Sequence, residues 1–219
     1  MNSHTDIRNY QGHTLLGYMN ILFFFILSNC FFISNSSNPE QLSDIDKEIC
    51  LSENESNLAE MINQYRLENG LTPIPISSSL TLVAKEHVSD LIINKPYDDQ
   101  NICNPHSWSK EGSWESCCYN SGKDGECMWN KPRELTDYQA DGYEIIMGQF
   151  NSQFPTEEVS AESAIRSWKE SPNHNAIIIN KNIWKKTDWN AMGIGIYQGF
   201  AAVWFGEEID PNGSPQTCP

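Results

Sequence analysis

The sequence predicts an α+β domain, and three observations carry the prediction. Two runs with helical periodicity open the domain. A third helical run ends at Trp168, just before Ser171-Pro172. Two apolar runs separated by Gln198-Gly199 close it as an antiparallel hairpin. Helices first and a hairpin last point to helices packed on a central sheet.

The first helix has a start, a face and a stop. Ser52 with Glu55 forms a capping-box pattern. Leu58, Met61, Ile62 and Tyr65 follow at helical spacing, and Gly70 is a natural terminator. The second helix begins near Ser77–Ser79. Its apolar face carries Leu80, Val83, Ala84, His87 and Leu91, so His87 is read as a satisfied core or boundary histidine and not as a ligand. From Ile102 to Tyr138 neither period survives. Gly, Asn, Ser, Cys and Trp dominate this stretch, which marks a cross-linked loop with Trp108, Trp114 and Trp129 as its miniature core, or less commonly as a sugar platform. Gly142 to Met147 is apolar on both sides of one carboxylate, Glu144. Ala161, Ala164, Ile165 and Trp168 mark the next helix, which must stop near Ser171 because a residue before proline avoids helical angles. Met192, Ile194 and Ile196 alternate as a half-buried strand, and Phe200 to Phe205 makes its partner.

The chain has 219 residues, the size of one domain plus tails, and a formal net charge of −15 from 29 acidic against 14 basic residues. Such a surface repels phosphate backbones, which excludes nucleic acid as a partner; its plain role is solubility. Residues 1–30 read as a targeting segment, 31–47 as a polar tether, 48–209 as the domain and 210–219 as a coil tail. The apolar core Ile21 to Leu27 has the length of a signal-peptide core and is short for a membrane span. Three readings stand: a secretory signal cleaved near residue 30, a lipoprotein signal that lipidates Cys30, and an uncleaved anchor. Any membrane contact is expected through this segment alone. Behind it lie Cys50, Cys103, Cys117, Cys118, Cys127 and Cys218, an even set that implies disulfides in an oxidising compartment. Cys50 and Cys218 bracket the domain, and vicinal Cys117 and Cys118 call for different partners; the pairing stays open. Asn35 and Asn54 fit the N-glycosylation pattern.

Several motifs recur in a telling order: Asn63-x-x-Arg66 before Gly70-Leu71, then Ala84-x-x-His87. Trp168 follows, with Ser171-Pro172-Asn173-His174, Gly193-Ile194-Gly195 and Trp204-Phe205-Gly206. Over about Glu53–Gly206 this resembles the CAP superfamily of cysteine-rich secretory proteins, antigen 5 and pathogenesis-related class 1 proteins, the SCP-like extracellular domains. The resemblance implies a three-layer α-β-α sandwich with an open cleft faced by two histidines and two glutamates. Those positions fall on His106 and His174, on Glu144, where Gly-Tyr-Glu-Ile replaces the usual Gly-Glu-Asn, and on Glu170, one residue before the usual place, which Ser171 occupies. It also implies binding of divalent metal, sterol or lipid in some members and no fixed reaction.

Two imidazoles and a carboxylate suit zinc, so His106, His174 and Glu144 form a candidate metal set; equally, the three side chains can simply hydrogen-bond each other and water. A hydrolase would use His106 or His174 as base, with Ser107 the available nucleophile, although no strand–turn–helix elbow surrounds it. The expectation is a binding module for an extracellular lipid, glycan or protein. A metal-dependent extracellular hydrolase on the same cleft is the alternative.

Overall fold

A computed structural model describes residues 49–97, 102–120, 125–148 and 158–219. The expected targeting segment, the tether and Cys30 lie outside the described residues. In chain order the elements are β1 (Cys50–Leu51), α1 (Glu53–Glu68), α2 (Ser78–Ile93), α3 (Gly125–Trp129), α4 (Lys131–Leu135), β2 (Tyr143–Gly148), α5 (Ala161–Glu170), α6 (Pro172–Ile178), β3 (Ala191–Tyr197), β4 (Phe200–Gly206) and β5 (Gln216–Thr217). A single 3-10 turn, Asn182–Trp184, separates α6 from β3.

The helix starts follow the sequence signals. Ser52 accepts from the Glu55 amide, and Glu55 accepts from the Ser52 amide at 2.8 Å, so the capping box forms. Glu55 is almost fully buried because it does more than cap. Its carboxylate also takes Lys85 Nζ at 2.7 Å and the Ile196 amide at 3.0 Å, joining α1 to α2 and β3. At the other end Gly70 adopts φ +75°, and the Leu71 amide donates to the Arg66 carbonyl, a left-handed glycine stop. Asn63 clamps the following loop by exchanging two hydrogen bonds with the Ile74 backbone, at 2.8 and 3.0 Å. Buried Arg66 donates to the carbonyls of Thr72 and Ile178. This is the physical content of the Asn63-x-x-Arg66 motif: it ties α1 to the end of α6.

The sheet is antiparallel in the order β2-β4-β3, with β4 buried along its whole length. Alternation along β4 divides the interior. Ala201, Val203 and Phe205 face a layer built from α1, α5 and α6, with Leu58, Ile62, Ile165 and Trp168. Phe200, Ala202 and Trp204 face α2 and the loop carrying Trp108. The result is a three-layer α-β-α sandwich. Gly193 and Gly195 explain the close seating of α2 on β3: a Cβ at Gly193 would collide with the Leu80–Thr81 backbone, and one at Gly195 with the Ala84–Lys85 backbone.

Three features depart from the sequence reading. The stretch Ile102–Tyr138 contains two single-turn helices, α3 and α4, too short to show a period. Pro172 not only ends α5 but also opens α6, where its missing N–H costs nothing. The tail beyond residue 209 is part of the domain. Asp210 is buried and accepts from Ser77 Oγ at 2.6 Å and from the Ser79 amide at 2.8 Å, and β5 pairs in parallel with β1. The six cysteines pair as Cys50–Cys218, Cys103–Cys118 and Cys117–Cys127. The chain ends are thus tied together, and the vicinal cysteines take separate partners.

Candidate functional site

Glu144 lies on β2 opposite Trp204 of β4, so its side chain points to the α2 face of the sheet. That side chain is fully enclosed, and both of its oxygens are taken by imidazoles. His87 Nδ1, from α2, is 2.5 Å from Oε1, and His106 Nδ1, from the stapled loop, is 2.7 Å from Oε2. Burial raises the carboxyl pKa. The charge of His87 and hydrogen bonds from His106 and His87 more than reverse this and bring it down to about 2.

His106 is one-fifth exposed and rests edge-on against Tyr119, with ring centroids 5.4 Å apart. Its backbone is set by Asn104, whose side chain accepts the His106 amide at 2.9 Å. The disulfides and the Trp108–Cys117 bridge hold this loop in place. Asp90 of α2 anchors its far side, accepting the Ser109 amide at 2.8 Å and Ser109 Oγ at 2.5 Å. His174, on α6, is half-buried. Burial lowers its pKa, the neighbouring His106 lowers it further, and Glu144 acts in the opposite sense. The balance favours the neutral ring with a lone pair available. Tyr65 of α1 steadies the adjoining residue by donating to Asn175 Oδ1 at 3.1 Å.

Glu170 sits at the exposed end of α5, and Ser107 is fully buried with its Oγ accepting the Tyr119 amide at 2.9 Å. A hydroxyl so enclosed is no nucleophile, which removes the serine mechanism weighed from sequence. The candidate metal trio is also rearranged. With both oxygens bound to imidazole Nδ1 atoms, Glu144 is not free to act as a third ligand. Among the described residues no three His, Cys, Asp or Glu side chains are grouped to hold a metal ion. Glu144 orients His106 through Nδ1, the way a carboxylate positions a histidine from behind.

The pattern of the CAP family, the cysteine-rich secretory protein family, matches residues 59–201. The chain belongs to this family. Among solved structures it is similar to an extracellular protein containing an SCP domain from Bacillus anthracis str. Ames, with 17% identity and a TM-score of 0.48 over 71% of this chain and 40% of that one. It is also similar to a cysteine-rich secretory protein from Staphylococcus aureus subsp. aureus Mu50, with 14% identity and a TM-score of 0.44 over 75% of this chain and 40% of that one. The chain thus spans about two-fifths of the length of either protein. No curated protein sequence matches it significantly. Among the described residues no helix is long and apolar enough to cross a membrane.

Within this CAP domain, sequence reasoning treats His87 as part of the core, and its burial agrees. What it misses is the partner. Only the pairing of β2 with β4, which turns Glu144 to the α2 face of the sheet, brings it to the buried ring. The Ala84-x-x-His87 motif was the available signal. Asn54 is a second surprise: its side chain donates to Glu158 Oε1 at 2.7 Å and to the Val159 carbonyl at 2.9 Å, and accepts the Ala161 amide at 2.8 Å. The sequon there is occupied as a structural clamp. A groove of about 910 Å³ lies between α1 and α5, lined by Met61, Tyr65, Ile76, Ile165 and Lys169 among others, and none of the four site residues lines it.

Proposed function

We propose that this CAP domain is an exported binding module, and that the surface around His106, Glu144 and His174 recognises a lipid, glycan or protein ligand outside the cell. The observation that supports the reading is the double engagement of Glu144: fully enclosed, with an imidazole nitrogen on each oxygen, the carboxylate is turned inward and not toward a substrate. Its work is to fix two rings. Export is supported by the disulfides, which join all six cysteines from Cys50 onward and suit an oxidising compartment.

One observation favours a second reading, a metal-dependent extracellular hydrolase. His106 turns Nδ1 to Glu144, so Nε2 is the nitrogen outside that bond, and His174 is biased toward the neutral ring. A divalent cation held by these two rings would polarise a bound carbonyl or acidify a bound water. Glu144 would then orient His106 and would not coordinate. Zinc titration calorimetry combined with a screen of ester, amide and glycosidic substrates separates the readings. The binding module gives no turnover in the wild type. Turnover that is lost in both His106→Ala and His174→Ala would replace it with the hydrolase.

A further inference from the structure

We propose that the turn at residues 181–186 is a docking surface for an anionic phospholipid bilayer. Lys181, Lys185 and Lys186 are exposed there and flank Ile183, which at 83% exposure is the most exposed large apolar side chain among the described residues. Over residues 171–206 these three lysines meet one acidic residue, Asp188, in a chain whose formal net charge is −15. Among the described residues none of the three lysines is in an ion pair. A single exposed aliphatic side chain is ordinary on a protein surface. One set among unpaired lysines fits a bilayer, where cations meet anionic headgroups and the apolar side chain enters the acyl boundary.

The turn is held in shape from inside. Asn180 and Asn182 take left-handed angles, φ +49° and +56°, which asparagine tolerates better than most residues. Asn180 Oδ1 accepts from buried Arg66 at 2.6 Å, and its Nδ2 donates to the Thr187 carbonyl at 2.6 Å. The Trp184 amide donates to the Lys181 carbonyl at 3.0 Å, and the Thr187 amide to the Trp184 carbonyl at 3.1 Å. The Trp184 ring is half-buried against Tyr143 and Trp189, with centroids 5.0 and 5.3 Å away. With Trp184 packed inward and the backbone fixed on both sides, the exposure of Ile183 is built into the turn. A surface preset in this way loses little freedom on docking.

The acidic remainder of the chain does not cancel the attraction. At physiological salt, fields are screened over about 8 Å, so the charges beside the headgroups decide. Repulsion of the remainder favours approach by this face. Ile183 selects a bilayer over a soluble polyanion, which offers an aliphatic side chain nothing to enter. The proposal is independent of any ligand at His106 and His174, whose side chains make none of these contacts.

Vesicle sedimentation of the full chain tests it. Every variant carries the same N-terminal segment, so binding through that segment cancels in the ratio of affinities. The probes are vesicles of phosphatidylcholine alone and of an equal mixture with phosphatidylglycerol. The wild type is expected to prefer the mixed vesicles, with the preference shrinking as salt rises. Lys185→Glu with Lys186→Glu should weaken binding to the mixed vesicles by at least about 25-fold, because each lysine near an anionic surface is worth about five-fold. Ile183→Ser should weaken it about ten-fold. Lys110→Glu, at an exposed lysine outside the turn, should stay within about two-fold of the wild type. Urea midpoints should be unchanged in all three, since the altered side chains are exposed. Equal affinity for the two vesicle types overturns the proposal, as does undiminished binding by the double lysine variant. Undiminished binding by Ile183→Ser overturns it too; if dextran sulfate then competes with the mixed vesicles, the partner is an acidic polymer and not a bilayer.

Discussion

Glu144 is the residue on which charge and burial meet, and its behaviour with pH follows directly. The folded carboxyl sits at about 2 against an ordinary 4.5, so the folded state binds its proton more weakly than the unfolded chain does. A group lowered in this way adds stability that is fully present above about 4.5 and drains away as pH falls toward 2. Thermal unfolding of the wild type is therefore expected to lose midpoint steeply across that window, and that of Glu144→Gln to lose less; parallel curves would contradict the pairing. Asn54 makes a second residue-level prediction. Its amide is committed to Glu158 and Val159, so expression in a glycosylating host should leave Asn54 unmodified in an intact-mass and peptide analysis, despite the matching sequon.

Among the elements, α2 carries the most. It covers β3 and β4, supplies His87 and Asp90, and accepts the tail at its first turn. Its seating depends on the absence of a side chain at Gly193. Gly193→Ala would press a methyl group against the Leu80 carbonyl, and overpacking of this kind costs about 1–3 kcal/mol. Urea denaturation should show the midpoint falling with the slope unchanged. At α1, Ser52→Ala removes one half of the capping box and should cost about 1 kcal/mol by the same measurement. Loss below a few tenths would mean that Glu55, held as well by Lys85 and Ile196, keeps the helix start without its cap.

At the scale of the whole molecule, the Cys50–Cys218 bond closes the domain across a sequence separation of 168 residues. A loop that long places the bond at the upper end of disulfide stabilisation, about 5 kcal/mol. Cys50→Ser with Cys218→Ser should lower stability by that order, while the imidazole NMR signals of His87 and His106 stay at their wild-type positions. The reason is placement: β1 and β5 lie outside the three-stranded sheet that carries Glu144. The loop disulfides are expected to do the reverse, since Cys103–Cys118 and Cys117–Cys127 hold the segment that carries His106. Breaking Cys103–Cys118 should alter the His106 signals before it alters the unfolding midpoint.

Local patterning was enough to read the helices α1, α2 and α5 and the β3–β4 hairpin, because caps, periods and turn residues act within a few positions; the family came from the resemblance carried by the order of motifs along the chain. It also singled out His106, Glu144 and His174, through motifs carried by neighbouring residues. Three things were decided only in three dimensions. His87 became the partner of Glu144 because strand register placed a carboxylate against a helix face 57 residues away. Glu144 became a clamp because both of its oxygens were claimed from separate elements. The tail joined the domain because Asp210 found the open Ser79 amide and the Ser77 and Ser79 hydroxyls at the start of α2. Hydrogen-bond partners distant in sequence leave no periodic trace, and burial alone determines whether a charged group must find one.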